Sequence, residues 1–405
     1  MLDKHIIVYR DEEKYRAALE NVRDSDLTER NKQLVLEFAT ALRRDGIGFK
    51  RVSKYLYHLK FIGRWLGKDF DKAEKEDIMK VADHIDSNGY TINTIYDYKI
   101  AIKKFYKWLL KVDVDPFKLK TASRKQRTKL PSPEELFSEE EIKRMISVAG
   151  SIRNKAIIIT LYETSARASE FLTLQKKDIE FDDNGAKIRL VGKTGERYVR
   201  VVSCVPYLSN WLENHRNESL DDFVWISENR NSKRRLEYGA LCKLVREIMV
   251  RSGVKKRGNL HSFRKSRATH LANFLTESQL CYYMGWSIGS KEVITYVKAS
   301  MRGTEDAILG IYGIKKDDNH KSVLQPIKCP VCGWFNKDIV NFCCRCGKPL
   351  TLQSALERDA RREKADKIMD VAVKYPEMLK LLEEIIRKEN IAEQKPEIVD
   401  ILLKG

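Results

Sequence analysis

The chain has 405 residues, enough for two to four domains, and its 42% apolar content excludes a wholly disordered protein. The 76 Lys and Arg residues exceed the 58 Asp and Glu residues, and the net charge of +18 predicts a polyanionic partner, first of all nucleic acid. No apolar run approaches the roughly 18 residues of a membrane-spanning helix, and charge interrupts the first ten residues too early for a secretory signal, so we expect a cytoplasmic protein.

The amino-terminal third predicts helices only. Residues 1–27 carry Tyr15, Leu19 and Val22 at helical spacing and predict a helical extension. Residues 28–115 predict a small all-α domain of four or five helices, because apolar residues recur there at i, i+3 and i+4 between turns rich in Gly, Asp and Asn. Residues 116–136 form a basic linker, because no acid opposes its basic residues between 120 and 131, which are Lys120, Arg124, Lys125, Arg127 and Lys129.

A second domain is expected over residues 137–315. It opens on a capping box, Ser138 with Glu141, and the apolar pattern is helical to about Leu174. The period then changes, and two Gly-containing turns between alternating runs predict a three-stranded antiparallel meander over 178–202. Helical spacing returns up to about Tyr312, so this domain combines helices with one small sheet.

Five of the eight cysteines lie between 329 and 346, which indicates metal ligation in a reducing compartment rather than a disulfide scaffold. Two CxxC pairs, each followed by glycine, predict a closed structural Zn²⁺ site within a zinc ribbon over 326–350. The predicted ligands are Cys329, Cys332, Cys343 and Cys346. A register that uses Cys344 instead spoils the CxxC spacing. The remaining segment, 353–405, predicts a charged helical tail.

A dispersed set of residues in the second domain carries the second signal. Each member alone is most simply a surface ion pair, a solvated turn or a packed aromatic residue. In chain order, they are Arg167 with Glu170 three residues later, Lys193 in a Gly-Lys-Thr-Gly turn, His261 with Arg264 three residues later, Trp286 after a glycine, and Tyr296.

Read together, these residues resemble the catalytic domain of tyrosine recombinases, the phage-integrase and Xer-type family. The resemblance covers roughly 137–312, the preceding helical block is similar to the family's core-binding domain, and the carboxyl-terminal zinc ribbon looks most like archaeal members. It implies a mainly α protein with a SAM-like core-binding domain and an α+β catalytic domain. It also implies a site-specific DNA recombinase of the kind carried by mobile elements.

The chemistry of the residues agrees with that family. A tyrosine hydroxyl is a poor nucleophile at neutral pH and needs cationic neighbours to attack a phosphodiester. Arg167 and Arg264 are suited to hold the phosphate and stabilise its developing charge, and His261 can hydrogen-bond it or accept the phenol proton. The resemblance implies that Lys193 is the general acid, that Trp286 donates to phosphate and packs beside the nucleophile, and that no ATP or catalytic divalent metal is needed.

Several alternatives stay open. Tyr296 is the expected nucleophile, with Tyr282, Tyr283 and Tyr312 as competitors, and Glu170 is expected to orient Arg167. Lys265 is expected to contact backbone phosphate or nothing. A type IB topoisomerase-like relaxation enzyme would use similar residues, and a non-catalytic zinc-ribbon DNA-binding protein would share the basic composition.

Partner expectations follow from charge and resemblance. Non-specific contacts to double-stranded DNA are expected from basic residues in three segments. These are Arg43, Arg44, Lys50, Arg51 and Lys54; the linker; and Arg230, Lys233, Arg234, Arg235, Lys243, Arg246, Lys255, Lys256 and Arg257. The resemblance implies a homo-tetramer on recombination sites, a Holliday-junction intermediate and location at the nucleoid.

Overall fold

The computed structural model describes residues 8–123, 132–192, 195–227, 234–256, 258–290, 292–293, 295–296, 312, 322–375, 377–378, 380–381 and 384. The chain divides into two compact units, residues 1–182 with 186–323 and residues 183–185 with 324–405. The described part is mainly helical and contains small antiparallel sheets, as the sequence predicted. The finer domain boundaries remain predictions.

The amino-terminal helices share one apolar core. They are α1 (Asp11–Arg23), α2 (Glu29–Arg44), α3 (Phe49–Leu66), α4 (Lys75–Ser87) and α5 (Ile92–Leu109). Phe38, Leu59, Ile102 and Phe105, all at positions with helical periodicity, are buried together in this core. Val22 of α1 belongs to the same core, and α1 packs along α3. The helix predicted within residues 1–27 is therefore part of the packing of this block.

His58 of α3 is a buried histidine in that core. Only 6% of the residue is exposed, its ring centroid lies 4.2 Å from that of Tyr98, and neither ring nitrogen has a hydrogen-bond partner among the described residues. Burial, and then the charge of Lys54, lower the pKa of His58 to about 4. The neutral imidazole is therefore the form that the fold accommodates.

We expect the His58 imidazole to make unfolding depend on pH. The unfolded ring titrates near 6.5 and the folded ring near 4, so the unfolded chain binds the extra proton and stability falls as pH drops from about 6.5 towards 4. The loss should reach about 3 kcal/mol. Urea unfolding of His58→Phe should show a flatter pH dependence than wild type. His84→Phe, which removes an exposed histidine of α4, is the control, and equal slopes for all three proteins would contradict the prediction.

The predicted capping box is confirmed. Ser138 and Glu141 form the capping box of α6 (Glu139–Val148), which is followed by α7 (Ile152–Thr164) and the short α8 (Ala168–Leu172). Nearly every residue of α7 is buried, because α6 packs on it together with two later helices, α9 (Val205–Glu213) and α11 (Leu260–Leu271). Helix α7 is thus the central element of this domain.

The predicted meander is confirmed. Strands β1 (Ile179–Asp182), β2 (Gly185–Gly192) and β3 (Gly195–Val201) form a sheet in that order, and β2 and β3 run antiparallel with Gly192 opposite Gly195. Two further helices are α10 (Tyr238–Arg251) and α12 (Glu277–Met284). The hairpin tip, Lys193 with Thr194, lies outside the described residues.

The second unit contains the cysteine cluster and a long helix. Two short strands, β4 (Ile327–Lys328) and β5 (Phe335–Asn336), pair antiparallel beside the cysteines. Helix α13 (Leu352–Lys374) follows, and its apolar residues Leu352, Leu356 and Ile368 are exposed. Among the helices of the described ranges, none has an apolar stretch long enough to cross a bilayer.

Candidate active site

The end of α7 places the first arginine. Helix α7 stops at Ser165, which adopts the left-handed conformation with φ of +52°, and Arg167 is the N-cap residue of α8 two positions later. The Nη2 of Arg167 donates to the backbone oxygen of Gly285 at 3.2 Å. A non-glycine residue with positive φ is uncommon, and here it turns the chain sharply between the two helices.

Arg264 of α11 is buried and held by two backbone carbonyls. Its Nη1 donates to the oxygen of Ser165 at 2.7 Å, and its Nη2 donates to the oxygen of Met284. A guanidinium has five N–H donors, so two backbone bonds orient it and leave donors for a ligand. Burial, and then the charges of Arg167 and Arg197, lower the pKa of Arg264 to about 9. Arg264 therefore remains a cation at neutral pH, although the positively charged Arg167 and Arg197 are close to it.

A buried carboxylate joins two arginines of this site. Glu170 of α8 is 2% exposed, and its oxygens accept from Arg167 Nη1 at 2.7 Å and from Arg197 Nη2 at 2.9 Å. Burial alone would raise the pKa of Glu170, but the ion pair with Arg197 and then the contacts with Arg167 outweigh burial and lower it to about 2. Glu170 is thus an ionised partner shared by Arg167 and Arg197.

Trp286 and Tyr296 lie beside the arginines. The guanidinium carbon of Arg264 lies 5.4 Å from the centre of the Trp286 ring, and the rings of Trp286 and Tyr296 stack with centroids 5.3 Å apart and planes 11° apart. Tyr296 is 5% exposed and packs within an apolar cluster that includes Leu280 and Met284. Burial, and then Glu292, raise its pKa to about 12 although Arg264 opposes the shift. The Tyr296 phenol in this buried position is therefore protonated at neutral pH.

His261 stands in the first turn of α11, one turn before Arg264. Desolvation of the ring, and then the positive charges of Arg264, Lys265 and Arg167, lower the pKa of His261 to about 4. Its imidazole is therefore neutral at physiological pH and can accept a proton as well as donate a hydrogen bond.

The remaining candidates are distributed as follows. Lys193, the predicted general acid, lies outside the described residues. Lys265 has a protein partner, Glu135, at 3.0 Å, and its contact with backbone phosphate stays a prediction. Of the competing tyrosines, Tyr283 donates its hydroxyl to the backbone oxygen of Glu163, and Tyr282 and Tyr312 are exposed. Tyr296 alone of the four stacks on Trp286.

Sequence reasoning missed Arg197 and Ser165. Arg197 directly precedes the run over 198–202 from which the third strand was predicted, and it shares the parity of the buried residues Val199 and Val201. Its position on the apolar face of the strand could therefore have predicted a buried arginine. Ser165 carried no such signal, because a left-handed serine follows from the packing around it.

The comparisons with known proteins agree with this geometry. Residues 135–302 match the phage integrase family. This segment of the chain is therefore similar to the phage integrase domain of tyrosine recombinases. Among curated relatives, the tyrosine recombinase XerA of Pyrococcus horikoshii is 26% identical over 244 residues, which cover 60% of this chain and 80% of the relative. The tyrosine recombinase XerD of Oceanobacillus iheyensis is 28% identical over 219 residues, which cover 50% of this chain and 70% of the relative.

Solved structures share the recombinase fold. The XerH recombinase in a post-cleavage complex with its difH substrate has a TM-score of 0.53 at 17% identity, covering 77% of this chain and 98% of that one. The lambda integrase bound to DNA has a TM-score of 0.51 at 12% identity, covering 66% and 96%. At these identities, the likeness concerns the fold alone.

Some basic residues expected to contact DNA have partners within the protein. Lys54 pairs with Asp97, Lys256 pairs with Glu141 at 2.8 Å, and the Arg43 guanidinium lies over the ring of Phe49. Arg230, Lys233 and Arg257 lie outside the described residues. Of the candidates on α10, Lys243 lies 3.9 Å from Glu247 in an exposed pair that costs little to break.

The four predicted cysteine ligands come together in the second unit. The sulfurs of Cys329, Cys332, Cys343 and Cys346 all lie within 4.8 Å of one another, and two of the pairs are 3.6 Å apart. Tetrahedral ligation with Zn–S bonds of about 2.3 Å requires sulfurs about 3.8 Å apart, so the cluster fits Zn²⁺. The Asn336 side chain donates to Cys343 Sγ at 3.6 Å, which supports a thiolate there, and Cys344 is exposed outside the set.

We expect the purified protein to carry about one zinc per chain. Cys343→Ser should reduce zinc affinity by more than the roughly 10- to 100-fold that loss of an outer-shell contact costs, because it removes a direct ligand. Cys344→Ser is the matched control and should retain full zinc. Elemental analysis after dialysis against a chelator measures both, and a larger loss in Cys344→Ser than in Cys343→Ser would contradict the ligand set.

Proposed function

We propose that the chain is a site-specific DNA recombinase or integrase that cleaves one strand at a time through a 3′-phosphotyrosyl bond to Tyr296. The released 5′ hydroxyl of a partner strand then attacks that bond, so that exchange proceeds through a Holliday junction. The observation that carries the proposal is that Arg264 lies over the ring of Trp286, which stacks on Tyr296, while Arg167 bonds the backbone oxygen of the adjacent Gly285. Few other chemistries need two guanidinium groups beside a phenol.

Each side chain has one role in the proposed reaction. Arg167 and Arg264 hold the non-bridging oxygens of the scissile phosphate, where negative charge grows in the transition state. His261, neutral at physiological pH, accepts the phenol proton or hydrogen-bonds the phosphate. Lys193 protonates the leaving 5′ oxygen, and the Trp286 indole donates to phosphate. Since the phosphotyrosyl bond conserves the energy of the phosphodiester, the cycle needs neither ATP nor a catalytic metal.

The burial of Tyr296 adds a requirement. A phenol with a pKa of about 12 within an apolar cluster does not attack until it is brought against a phosphate and its cationic neighbours. We propose that DNA binding brings Tyr296 to the phosphate, because the bound phosphate is an anion that Arg167 and Arg264 can hold. The same step would prevent Tyr296 from attacking unrelated phosphodiesters before a site is bound.

The proposed partner is double-stranded DNA at recombination sites. The net charge of +18 supports it, and the similar XerH and lambda integrase structures are complexes with DNA. We propose a homo-tetramer on two duplexes at the nucleoid, a SAM-like core-binding domain over 28–115, a catalytic domain over 137–315 and a zinc ribbon over 326–350. Which DNA sequence is recognised depends on base contacts that phosphate-binding residues do not provide.

A covalent-trapping assay tests this function. Nicked duplexes from the DNA flanking the gene are incubated with the protein in EDTA and separated on a denaturing gel, and a covalent protein–DNA band is expected. Product analysis then distinguishes the alternatives: exchanged strands support recombination, whereas relaxed plasmid without exchange supports a type IB topoisomerase. Salt-sensitive DNA binding without any adduct on flanks or supercoiled plasmid would instead favour the non-catalytic zinc-ribbon protein.

A further inference from the structure

Arg197 of β3 is a buried cation that has no role in the reaction described above. It is 5% exposed, its Nη2 donates to Glu170 at 2.9 Å, and its Nε donates to the backbone oxygen of Tyr283 at 2.9 Å. Glu170 also accepts the backbone N–H of Arg167 at 2.9 Å in addition to its side-chain contact. One carboxylate thus lies between Arg167, which faces the reaction, and Arg197, which lies behind it.

The net positive charge of the site equals the negative charge of the transition state only when Arg197 is counted. Arg167, Arg197 and Arg264 are three cations and Glu170 is one anion, which leaves a net charge of plus two. A phosphodiester carries one negative charge, and its pentacoordinate transition state approaches two. Without Arg197, the buried Glu170 would take Arg167 as its sole counter-ion, and the site would retain a single net positive charge.

We propose that Arg197 is a positioning residue that neutralises Glu170 so that Arg167 can direct its charge at the scissile phosphodiester. The inference rests on the proposed function, since it assigns Arg197 a part in that same cleavage. Arg197 does not touch the phosphate itself. It acts through Glu170, and the effect reaches the reaction through the Arg167 guanidinium.

Close packing on both sides fixes the pair in place. A Cβ on Gly285, whose φ is +62°, would come within 2.9 Å of Arg197 Nη1, and a Cβ on Gly192 would come within 2.4 Å of Glu170 Oε1. The guanidinium is therefore in contact with the turn that precedes Trp286, and the carboxylate with the end of β2. Arg197 joins the sheet to both the Arg167 helix and the Trp286 turn.

The test is a charge-compensation cycle. Single-turnover cleavage of the nicked site is measured for wild type, Arg197→Met, Glu170→Gln and the double variant. We expect Arg197→Met to slow cleavage roughly 10- to 100-fold, the lower end of what a lost electrostatic contact costs, with DNA affinity unchanged. The double variant, which restores the net charge of plus two, should recover to within about threefold of Glu170→Gln.

Two controls separate this role from a structural one. Arg200→Met removes an arginine of the same strand whose partner Asp182 is at the surface, and it should cleave at the wild-type rate. Arg197→Lys retains the charge in the same pocket and should lose less than Arg197→Met, which remains informative even if the methionine variant folds poorly.

The outcomes are distinct. If wild type forms no adduct, the proposed function fails. If wild type cleaves but the double variant is as slow as Arg197→Met, or slower, then Arg197 serves packing only and the inference is overturned. Full activity of Arg197→Met overturns it as well, and leaves the proposed function intact.

Discussion

Tyr296→Phe should form no covalent protein–DNA adduct, a loss of at least about 10⁴-fold in cleavage. The substitution removes only the hydroxyl, because a phenylalanine ring can keep the stack on Trp286 and the place in the apolar cluster. We therefore expect DNA affinity and unfolding midpoint to stay close to wild type. Denaturing gels of trapped reactions measure the adduct, and peptide mapping of the wild-type adduct identifies its residue.

The competing tyrosines provide the controls for Tyr296→Phe. Tyr282→Phe and Tyr312→Phe each remove an exposed hydroxyl and should cleave at the wild-type rate. Tyr283→Phe removes the bond to the Glu163 carbonyl and should cost stability rather than chemistry. An adduct in Tyr296→Phe that disappears in one of these three variants would transfer the role of nucleophile to that tyrosine.

Arg264→Lys should reduce the rate of adduct formation by about 10²- to 10³-fold despite keeping the positive charge. Arg264 bonds the Ser165 and Met284 carbonyls together, and its plane lies against Trp286. An ammonium group cannot make both bonds and still present a fork to phosphate. The loss should appear in the single-turnover rate, with little change in affinity for a duplex that carries the site, because many other phosphates contribute to binding.

Arg153→Lys is a matched control for the loss of a buried guanidinium. Arg153 of α7 is also buried and donates to a backbone carbonyl, that of Ile226, at 2.8 Å. We expect Arg153→Lys to lower the unfolding midpoint to a similar extent as Arg264→Lys while cleaving at the wild-type rate below that midpoint. If both variants lost cleavage equally, the effect of Arg264→Lys would be one of folding, and its phosphate-holding role would be contradicted.

The sequence was sufficient for the elements whose signals are local. Apolar spacing located the helices of the amino-terminal core, the turn glycines located the β2–β3 hairpin, and the CxxC spacing located the sulfurs that meet in the second unit. The ordered motif residues also anticipated that Arg167, Arg264, Trp286 and Tyr296 come together.

What the sequence could not provide depends on contacts across the chain. Lys265 and Glu135 are 130 residues apart, and Arg197 and Glu170 are 27 apart on different elements, so neither pair has a characteristic spacing. The burial of Tyr296 depends on how α11 and α12 close around it, which periodicity does not determine. Some residues expected on a DNA-facing surface, such as Lys256, have acidic partners. The sequence could not predict these pairs, because a paired lysine and a solvated lysine look the same in a sequence.

Besides the Glu170 carboxylate, the acceptors that orient the two site arginines are main-chain oxygens, those of Ser165, Met284 and Gly285. A backbone carbonyl is present whatever side chain the residue carries, so mutation at these positions does not delete the acceptor. The constraint falls on the path of the chain, which the positive φ of Ser165 and Gly285 defines. The orientation of the two arginines therefore depends less on which side chains stand at these three positions than on how the backbone turns there.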